Sequence, residues 1–465
     1  MSKKRDVYIV DGKRTPFLKA KGKPGPFLAS DLAVAAARPL LLEHDFDPAV
    51  LDEVIVGNVM PTPDEANIAR VIALRLGIPQ SVPAWTVQRN CASGLQALDS
   101  AYQNIGHGNA DLILAGGTEA MSRAPILYND LMVNWLSMMM SAKTFGQKAS
   151  MISKLRPAHL KPIIALVRGL SDPIVGLSMG QTTEEIAHRF GITREQMDEF
   201  AVQSHQRLAN ATDEGYLDEI EAIYDNAGDY FDYDDGIRRD SSMANLAKLK
   251  PYFDRKYGRV TPGNSAQVTD GAAMLLLASK PAVTKYNLPV LAKITDSEWA
   301  GLNPSQMGLG PAHAMAPIMK RNKLKIEDID HWEINEAFAG QVLGCLEAWK
   351  DKDYCANELG IKTPPGQIPL DKLNVDGGGV SLGHPVGASG ARIVLHLANT
   401  LKRNKAKQGI ASLCIGGGQG GAMMIEAVES DNDAIDGKSD DKSDDKKPAA
   451  KKSDAKKSAA KKDGE

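Results

Sequence analysis

The chain reads as an α/β protein in which one α/β unit occurs twice. Residues 1–124 alternate short apolar runs with helical stretches, and residues 285–428 do the same. Two patterns also recur in the same order: Ile329–Asn335 resembles Leu51–Gly57, and Ser412–Gly417 resembles Leu112–Gly117. A strand followed by glycine is common, so either pair alone is weak. Two pairs in one order point to duplication.

Val7–Val10 and Val54–Val56 are short apolar, mostly β-branched runs, and both read as strands. Leu112–Ala115 is a third, expected to end at Gly116-Gly117. Asp31–Leu42 and Ile68–Leu76 set apolar residues at helical spacing between them. Such alternation predicts a mostly parallel sheet covered by helices.

The middle, about 125–284, differs. Residues 131–170 carry Lys143, Lys148, Lys154, Arg156, Lys161 and Arg168 and no acid. They also hold Trp135-Leu136, Met138–Met140 and Ile163–Val167. Two readings stand: a helical cap over the active site, or a basic amphipathic surface that meets a membrane or a partner subunit. Residues 430–465 are mainly Asp, Lys, Ala and Ser, and their ten lysines and ten acids cancel. Such a segment buries too little apolar surface to offset its ordering entropy, so a disordered, solubilising tail is expected.

The whole chain has 465 residues, 43% of them hydrophobic, which suits a large core in two or three domains. A formal net charge of −3 argues against general nucleic-acid binding. Cys91, Cys345, Cys355 and Cys414 form neither CxxC pairs nor a zinc spacing. Free thiols in a reducing cytoplasm are expected, with no metal. Neither a signal peptide before Val7 nor an 18-residue apolar window is read, and Asp463-Gly464-Glu465 is no peroxisomal address.

Chemistry concentrates at four places. Cys91 follows a strand-like stretch (Val82, Trp85, Val87) and precedes Leu95, Leu98, Tyr102 and Ile105 at helical spacing. A lone cysteine is commonly an inert core residue; at such a turn it is equally placed as a nucleophile, whose thiolate a helix N-terminus would favour. Residues Asp376–Gly390 are glycine-rich around His384-Pro385, and His384 is a candidate base. The stretch lacks the GxxxxGK(S/T) order of a nucleotide loop. Cys414 ends an apolar strand, and the stretch is either a buried cysteine before a sharp turn or a site where the backbone amides of Gly416–Gly418 meet a developing oxyanion. Asn335 stands at a strand end before Glu336-Ala337-Phe338, where it either holds a water or carbonyl or caps a helix.

Taken together, the sequence resembles the thiolases over nearly all of 5–428. Four blocks carry the resemblance in order: Asn90-Cys91-Ala92-Ser93-Gly94, Asn335-Glu336-Ala337-Phe338, Gly378–Arg392 with Gly383-His384-Pro385, and Cys414-Ile415-Gly416-Gly417-Gly418-Gln419-Gly420. The resemblance implies a duplicated five-layer αβαβα fold with an inserted loop domain. Its first half is 1–122, completed by 240–284. The loop domain is 123–239, the second half 285–428 and the tail 429–465. It implies thiolytic cleavage of 3-ketoacyl-CoA by a ping-pong route, with Cys91 as nucleophile, His384 as its base and Cys414 as the acid–base at the α-carbon. One oxyanion site would be His384 with a water on Asn335; the other, the N–H groups of Cys91 and Gly416. Met179, Arg238, Ser265 and Phe338 match segments that bind CoA, which is a substrate here; no permanent cofactor is implied.

The long basic 125–177 region resembles β subunits of fatty-acid oxidation complexes. It implies medium or long acyl chains, a hydratase–dehydrogenase α subunit as partner and peripheral membrane contact through 131–170. A homodimer or homotetramer is also implied. The alternatives are a short-chain acetoacetyl-CoA thiolase, a decarboxylating ketosynthase, and a non-catalytic lipid-binding or membrane-docking subunit. The ketosynthase requires a second histidine where Asn335 stands. The non-catalytic reading sits poorly with Cys91, His384 and Cys414 all being present.

Overall fold

The computed structural model of the chain describes residues 4–428, so the tail expected over 429–465 lies outside the described residues. The first half supplies strands β1 (Val7–Arg14), β2 (Glu53–Gly57), β3 (Ala84–Val87), β4 (Leu112–Ala120) and β5 (Thr269–Ser279). Its helices are α1 (Ala29–Leu42), α2 (Ile68–Arg75) and α3 (Ser93–His107). Between β4 and β5 lies the loop region, with α4 (Asp130–Ser141), α5 (Phe145–Ser153), α6 (Met179–Arg189) and α7 (Arg194–Asp213). The second half supplies β6 (Ala292–Gly301), α8 (Gly310–Arg321), β7 (His331–Ile334), α9 (Ala339–Lys350), α10 (Ser389–Asn404), β8 (Gln408–Ile415) and β9 (Gln419–Ala427).

The strands form one sheet path, β7-β8-β9-β6-β1-β5-β4-β2-β3. The duplication is visible in it. From the middle outward the first half runs β1-β5-β4-β2-β3 and the second runs β6-β9-β8-β7, with a parallel bridge from Trp332 to Leu373 standing where β3 stands in the first. The halves join through three residue pairs between β1 and β6.

Period-two alternation sorts each strand's side chains into layers. Ile113, Ala115, Leu275 and Leu277 face inward with Ala411, Leu413, Met423 and Ile425, all packed on α3 and α10. Leu112, Leu114, Met274 and Leu276 face outward onto α1 and α2. In the second half, Trp332, Ile410 and Met424 pack outward with Met315, Met319 and Leu346 of α8 and α9. The order is helices, sheet, helices, sheet, helices. The α3 residues Leu95, Leu98 and Ile105 are fully buried in the central layer, each worth roughly 2 kcal/mol relative to exposure.

Two expectations need correction. The sheet is mixed rather than mostly parallel: β2 pairs parallel with β3 and β4, but β1–β5, β5–β4, β6–β9 and β8–β9 are antiparallel. The reason is local for β8 and β9, which are joined by the turn Gly416–Gly418 with φ of +92° and +78° at Gly417 and Gly418. That turn is too short for a crossover helix, so the strands must fold back. Strand β4 also runs through Gly116-Gly117 to Ala120 instead of ending there. Those glycines are not a terminator. A Cβ on Gly117 would overlap the Gly387 carbonyl oxygen, so the bare backbone admits a loop of the second half.

A buried ionic chain ties the loop region to both halves. Arg14 of β1 donates to both oxygens of Asp234 at 2.8 and 2.9 Å and to Glu219 at 3.3 Å. His396 of α10 bonds Glu219 at 2.9 Å and Asp376 at 3.1 Å. Although burial opposes its charge, the Glu219 and Asp376 carboxylates push His396 up to about 10, so it holds a proton at neutral pH.

Candidate active site

Cys91 sits between β3 and α3, on a turn that its neighbours fix. Asn90 takes φ +45°, a left-handed conformation that asparagine tolerates. The Arg89 N–H donates to Ser93 Oγ at 2.9 Å, and that hydroxyl donates to the Asn90 carbonyl at 2.7 Å. Cys91 stays partly exposed. The backbone N–H groups of Gly416 and of Cys91 itself favour its thiolate. The helix N-terminus after Cys91 would by itself stabilise a thiolate. Instead the thiol is pushed above its ordinary value: burial outweighs the two N–H donors, and the Glu119 charge adds to it. The resting group is a neutral thiol.

His384 lies in the loop entering α10. The preceding Gly383 has φ +105° and rests against the Thr269 side chain, leaving no room for a Cβ. The ring Nδ1 is 2.6 Å from Ser389 Oγ, and that hydroxyl donates to the Pro385 carbonyl at 3.1 Å. A hydroxyl has one proton. If it goes to Pro385, Nδ1 carries the imidazole hydrogen and Nε2 is left as the free base, a tautomer assigned from the network. Burial, with the nearby Arg392 charge, pulls His384 down to about 4. It is neutral at physiological pH, as a base must be.

Asn335, fully buried after β7, sets its Nδ2 3.4 Å from either ring nitrogen, so the amide lies across the imidazole. Its Oδ1 has no hydrogen-bond partner among the described residues. Cys414, near the end of β8, is buried, and its thiol is pushed well above the usual range by burial and by the neighbouring Cys91 and Cys345. Gly416 follows two residues later, and its carbonyl accepts from Asn90 Nδ2 at 2.8 Å. The fold thus brings Cys91, Gly416 and Cys414 to one place, and His384 and Asn335 to each other.

The proposed CoA residues are more dispersed. Met179 opens α6 after the Ser178 cap, and its sulfur is 3.5 Å from where a Cβ on Gly416 would stand. Phe338 packs edge-on against Phe253, with centroids 5.9 Å apart, and pairs with Ser265 in an antiparallel bridge. Ser265 spends its hydroxyl on the Thr261 carbonyl at 2.7 Å. Arg238 lies elsewhere in the loop region, where its backbone N–H donates to His205 Nδ1 at 3.1 Å.

Sequence reasoning passes over two buried acids. Glu119, at the end of β4, accepts from the N–H groups of Val59 (2.9 Å), Met60 (3.2 Å) and Gly387 and from the Asn58 amide (3.1 Å). Burial pushes its carboxyl up to about 7. Glu336 accepts from Ser204 at 2.6 Å, Asn374 at 2.9 Å and the Val380 N–H at 3.1 Å, clamping α7 to the Gly378–Ser381 turn. Glu119 is a lone charge in the apolar, glycine-rich stretch Leu112–Ala120, which is the available signal for it. Chemically, two neutral thiols, a neutral buried imidazole and paired N–H donors suit covalent acyl transfer with proton movement at carbon.

Similarity to known proteins extends over nearly all of the described chain. Residues 7–281 match the family model described as "Thiolase, N-terminal domain", and residues 288–427 match "Thiolase, C-terminal domain". The bovine mitochondrial trifunctional enzyme subunit beta is 37% identical over 424 residues, covering 91% of this chain and 88% of that protein. The bovine mitochondrial 3-ketoacyl-CoA thiolase is 38% identical over 427 residues, covering 91% and 98%. The crystal structure of human mitochondrial 3-ketoacyl-CoA thiolase in complex with CoA superposes with a TM-score of 0.78 at 35% identity, over 91% of this chain and 98% of that one.

A neutral resting thiol makes a prediction about reactivity. Alkylation of Cys91 by iodoacetamide, followed on its tryptic peptide, rises about tenfold per pH unit through pH 9. A plateau below pH 8 would mean a stabilised thiolate and contradict the burial argument.

Proposed function

The chain belongs to the thiolase family, and we propose that it cleaves 3-ketoacyl-CoA with CoA to acetyl-CoA and a shortened acyl-CoA through a Cys91 thioester. The observation that carries this reading is the joining of the two halves at one place: Asn90, beside Cys91, bonds the Gly416 carbonyl two residues after Cys414 at 2.8 Å, and Asn335 lies 3.4 Å across the His384 ring. In the first half-reaction His384 Nε2 takes the Cys91 proton as sulfur adds to the 3-keto carbon. The oxyanion forms against the Cys91 and Gly416 N–H groups, donors typically worth about 3 kcal/mol each. The C2–C3 bond then breaks, and its electron pair stays on C2 as the acetyl-CoA enolate. The enolate oxygen faces His384 and Asn335. Cys414 protonates C2, acetyl-CoA departs, and a Cys414 thiolate remains.

In the second half-reaction that thiolate takes the proton of an incoming CoA thiol. CoA sulfur attacks the Cys91 thioester, and the departing Cys91 thiolate recovers the proton held by His384. Every group returns to its starting state, as a ping-pong cycle requires. Met179, Phe338, Ser265 and Arg238 are assigned to the CoA arm on family resemblance, with Met179 and Phe338 at the thioester end.

The finer assignment is β-oxidation of medium or long acyl chains. Support comes from the relationship to a trifunctional enzyme beta subunit and from the extended 125–177 region. A homodimer or homotetramer is supported by β3, an edge strand with Trp85 exposed, and a hydratase–dehydrogenase α subunit by the same relative. Four free cysteines suit a reducing compartment such as the cytoplasm. Peripheral membrane contact is supported by Leu131, Met140, Phe145, Leu160 and Val167, all more than half exposed among the cations of 131–170.

Thiolysis of 3-ketoacyl-CoAs of increasing chain length tests the main reading. Activity rises toward long chains, and Cys91→Ala lowers kcat/KM by about four orders of magnitude. Cleavage confined to acetoacetyl-CoA would move the assignment to the short-chain branch, and an active Cys91→Ala enzyme would remove the thioester. For the membrane contact, sedimentation with vesicles containing phosphatidylserine should pellet the protein at low salt. Replacing Lys143, Lys148, Lys154 and Arg156 by glutamine should leave it in solution. Equal pelleting of both would reject the contact.

A further inference from the structure

We infer that Asn90 is a positioning residue for acyl transfer: its side-chain amide fixes the Gly416 turn, and so aims the Gly416 N–H at the Cys91 sulfur. This rests on the function proposed above and goes beyond the groups that take part in bond making. Asn90 and Gly416 are 326 residues apart and belong to opposite halves of the duplicated fold. Their hydrogen bond joins the turn that carries the nucleophile to the turn that carries one of its two donors.

The Gly416 turn has little else to hold it from that side. Gly416, Gly417 and Gly418 have no side chains, and the latter two take positive φ. Behind the turn, the β8–β9 ladder ends at the Ile415–Gln419 pair, and the Leu302 N–H donates to the Gly418 carbonyl at 2.8 Å. In front, toward Cys91, the nearest atoms to a Cβ placed on Gly416 would be Met179 Sδ at 3.5 Å and Asn90 Nδ2 at 3.7 Å. Rotation about the Gly416 backbone would swing its N–H off the sulfur, and the Asn90 bond to the Gly416 carbonyl opposes that rotation. Asn90 is itself held rigidly. Its φ of +45° is locked by Ser93, whose hydroxyl bridges the Arg89 N–H and the Asn90 carbonyl. A side chain on an ordinary right-handed backbone at this position would point elsewhere. Oxyanion donors act through placement, and small errors in it are costly.

The test separates placement from folding. Asn90→Gly keeps the left-handed backbone free of strain and removes only the amide; Asn90→Asp keeps the shape but sets an acceptor against the Gly416 carbonyl. Three quantities are measured on the full chain: the pre-steady-state rate of Cys91 acylation by a 3-ketoacyl-CoA, the KM for that substrate, and the melting temperature. A fourth is deuterium exchange at the acetyl-CoA methyl, measured in a Cys91→Ala background with and without Asn90→Gly. Exchange needs Cys414 and an enolate oxygen that faces His384 and Asn335, not Gly416. The expected result is acylation slowed about 10- to 100-fold in both variants. KM and exchange should stay within about twofold and melting nearly unchanged. Acylation near the unaltered rate in Asn90→Gly would overturn the inference. So would acylation, exchange and melting temperature falling together, which would mark a merely structural residue. An unaltered chain that forms no Cys91 thioester would overturn the proposed function and this inference with it.

Discussion

Gly94 and Gly390 let the two central helices, α3 and α10, meet backbone to backbone. A Cβ on Gly94 would lie 2.8 Å from the Gly387 carbonyl oxygen and 2.9 Å from the Ala391 nitrogen, and one on Gly390 would overlap the Leu95 nitrogen. The contact is at the N-terminal ends of both helices. Cys91 stands two residues before one of them and His384 five residues before the other. The glycine contact therefore fixes how far apart the loops bearing nucleophile and base can be. The burial of Leu95, Leu98 and Leu397 in the central layer supplies the free energy that keeps the helices there.

The same duplication explains why each half contributes part of the site. Cys91 comes from the turn after β3; His384, Asn335 and the Cys414–Gly416 segment come from the second half. Burial then sets the protonation states. It holds both thiols neutral and His384 unprotonated, so the charge of each intermediate is created only when a bond is made. Preformed N–H groups, not a standing ion pair, meet that charge. The buried Arg14–Glu219–His396–Asp376 chain lies outside this cluster and carries permanent charge; it joins β1, the loop region and α10.

Much of this was legible in the sequence. Runs such as Val54–Val56 and the spacing of Leu95, Leu98, Tyr102 and Ile105 reflect local periodicity, and the four motif blocks carried the family. What failed depended on distant partners. Gly116 and Gly117 read as a stop because the Gly387 loop that needs their bare backbone is some 270 residues away by position. The antiparallel β8–β9 pair followed from a three-glycine turn that looked only like an oxyanion loop. The expected Cys91 thiolate rested on the helix N-terminus alone, and desolvation, which the sequence does not display, outweighed it. Glu119 was passed over, and Asn90 had no role beyond its motif, because the Gly387 and Gly416 backbones they bind come from the other half.

The most direct test of the account is to catch the covalent intermediate. The protein is mixed with a long-chain 3-ketoacyl-CoA in the absence of free CoA, quenched in acid, digested and analysed by mass spectrometry. The account predicts the shortened acyl group on the peptide containing Cys91, and its loss when CoA is added before the quench. An acyl group on Cys414 instead, or cleavage with neither cysteine modified, would contradict it.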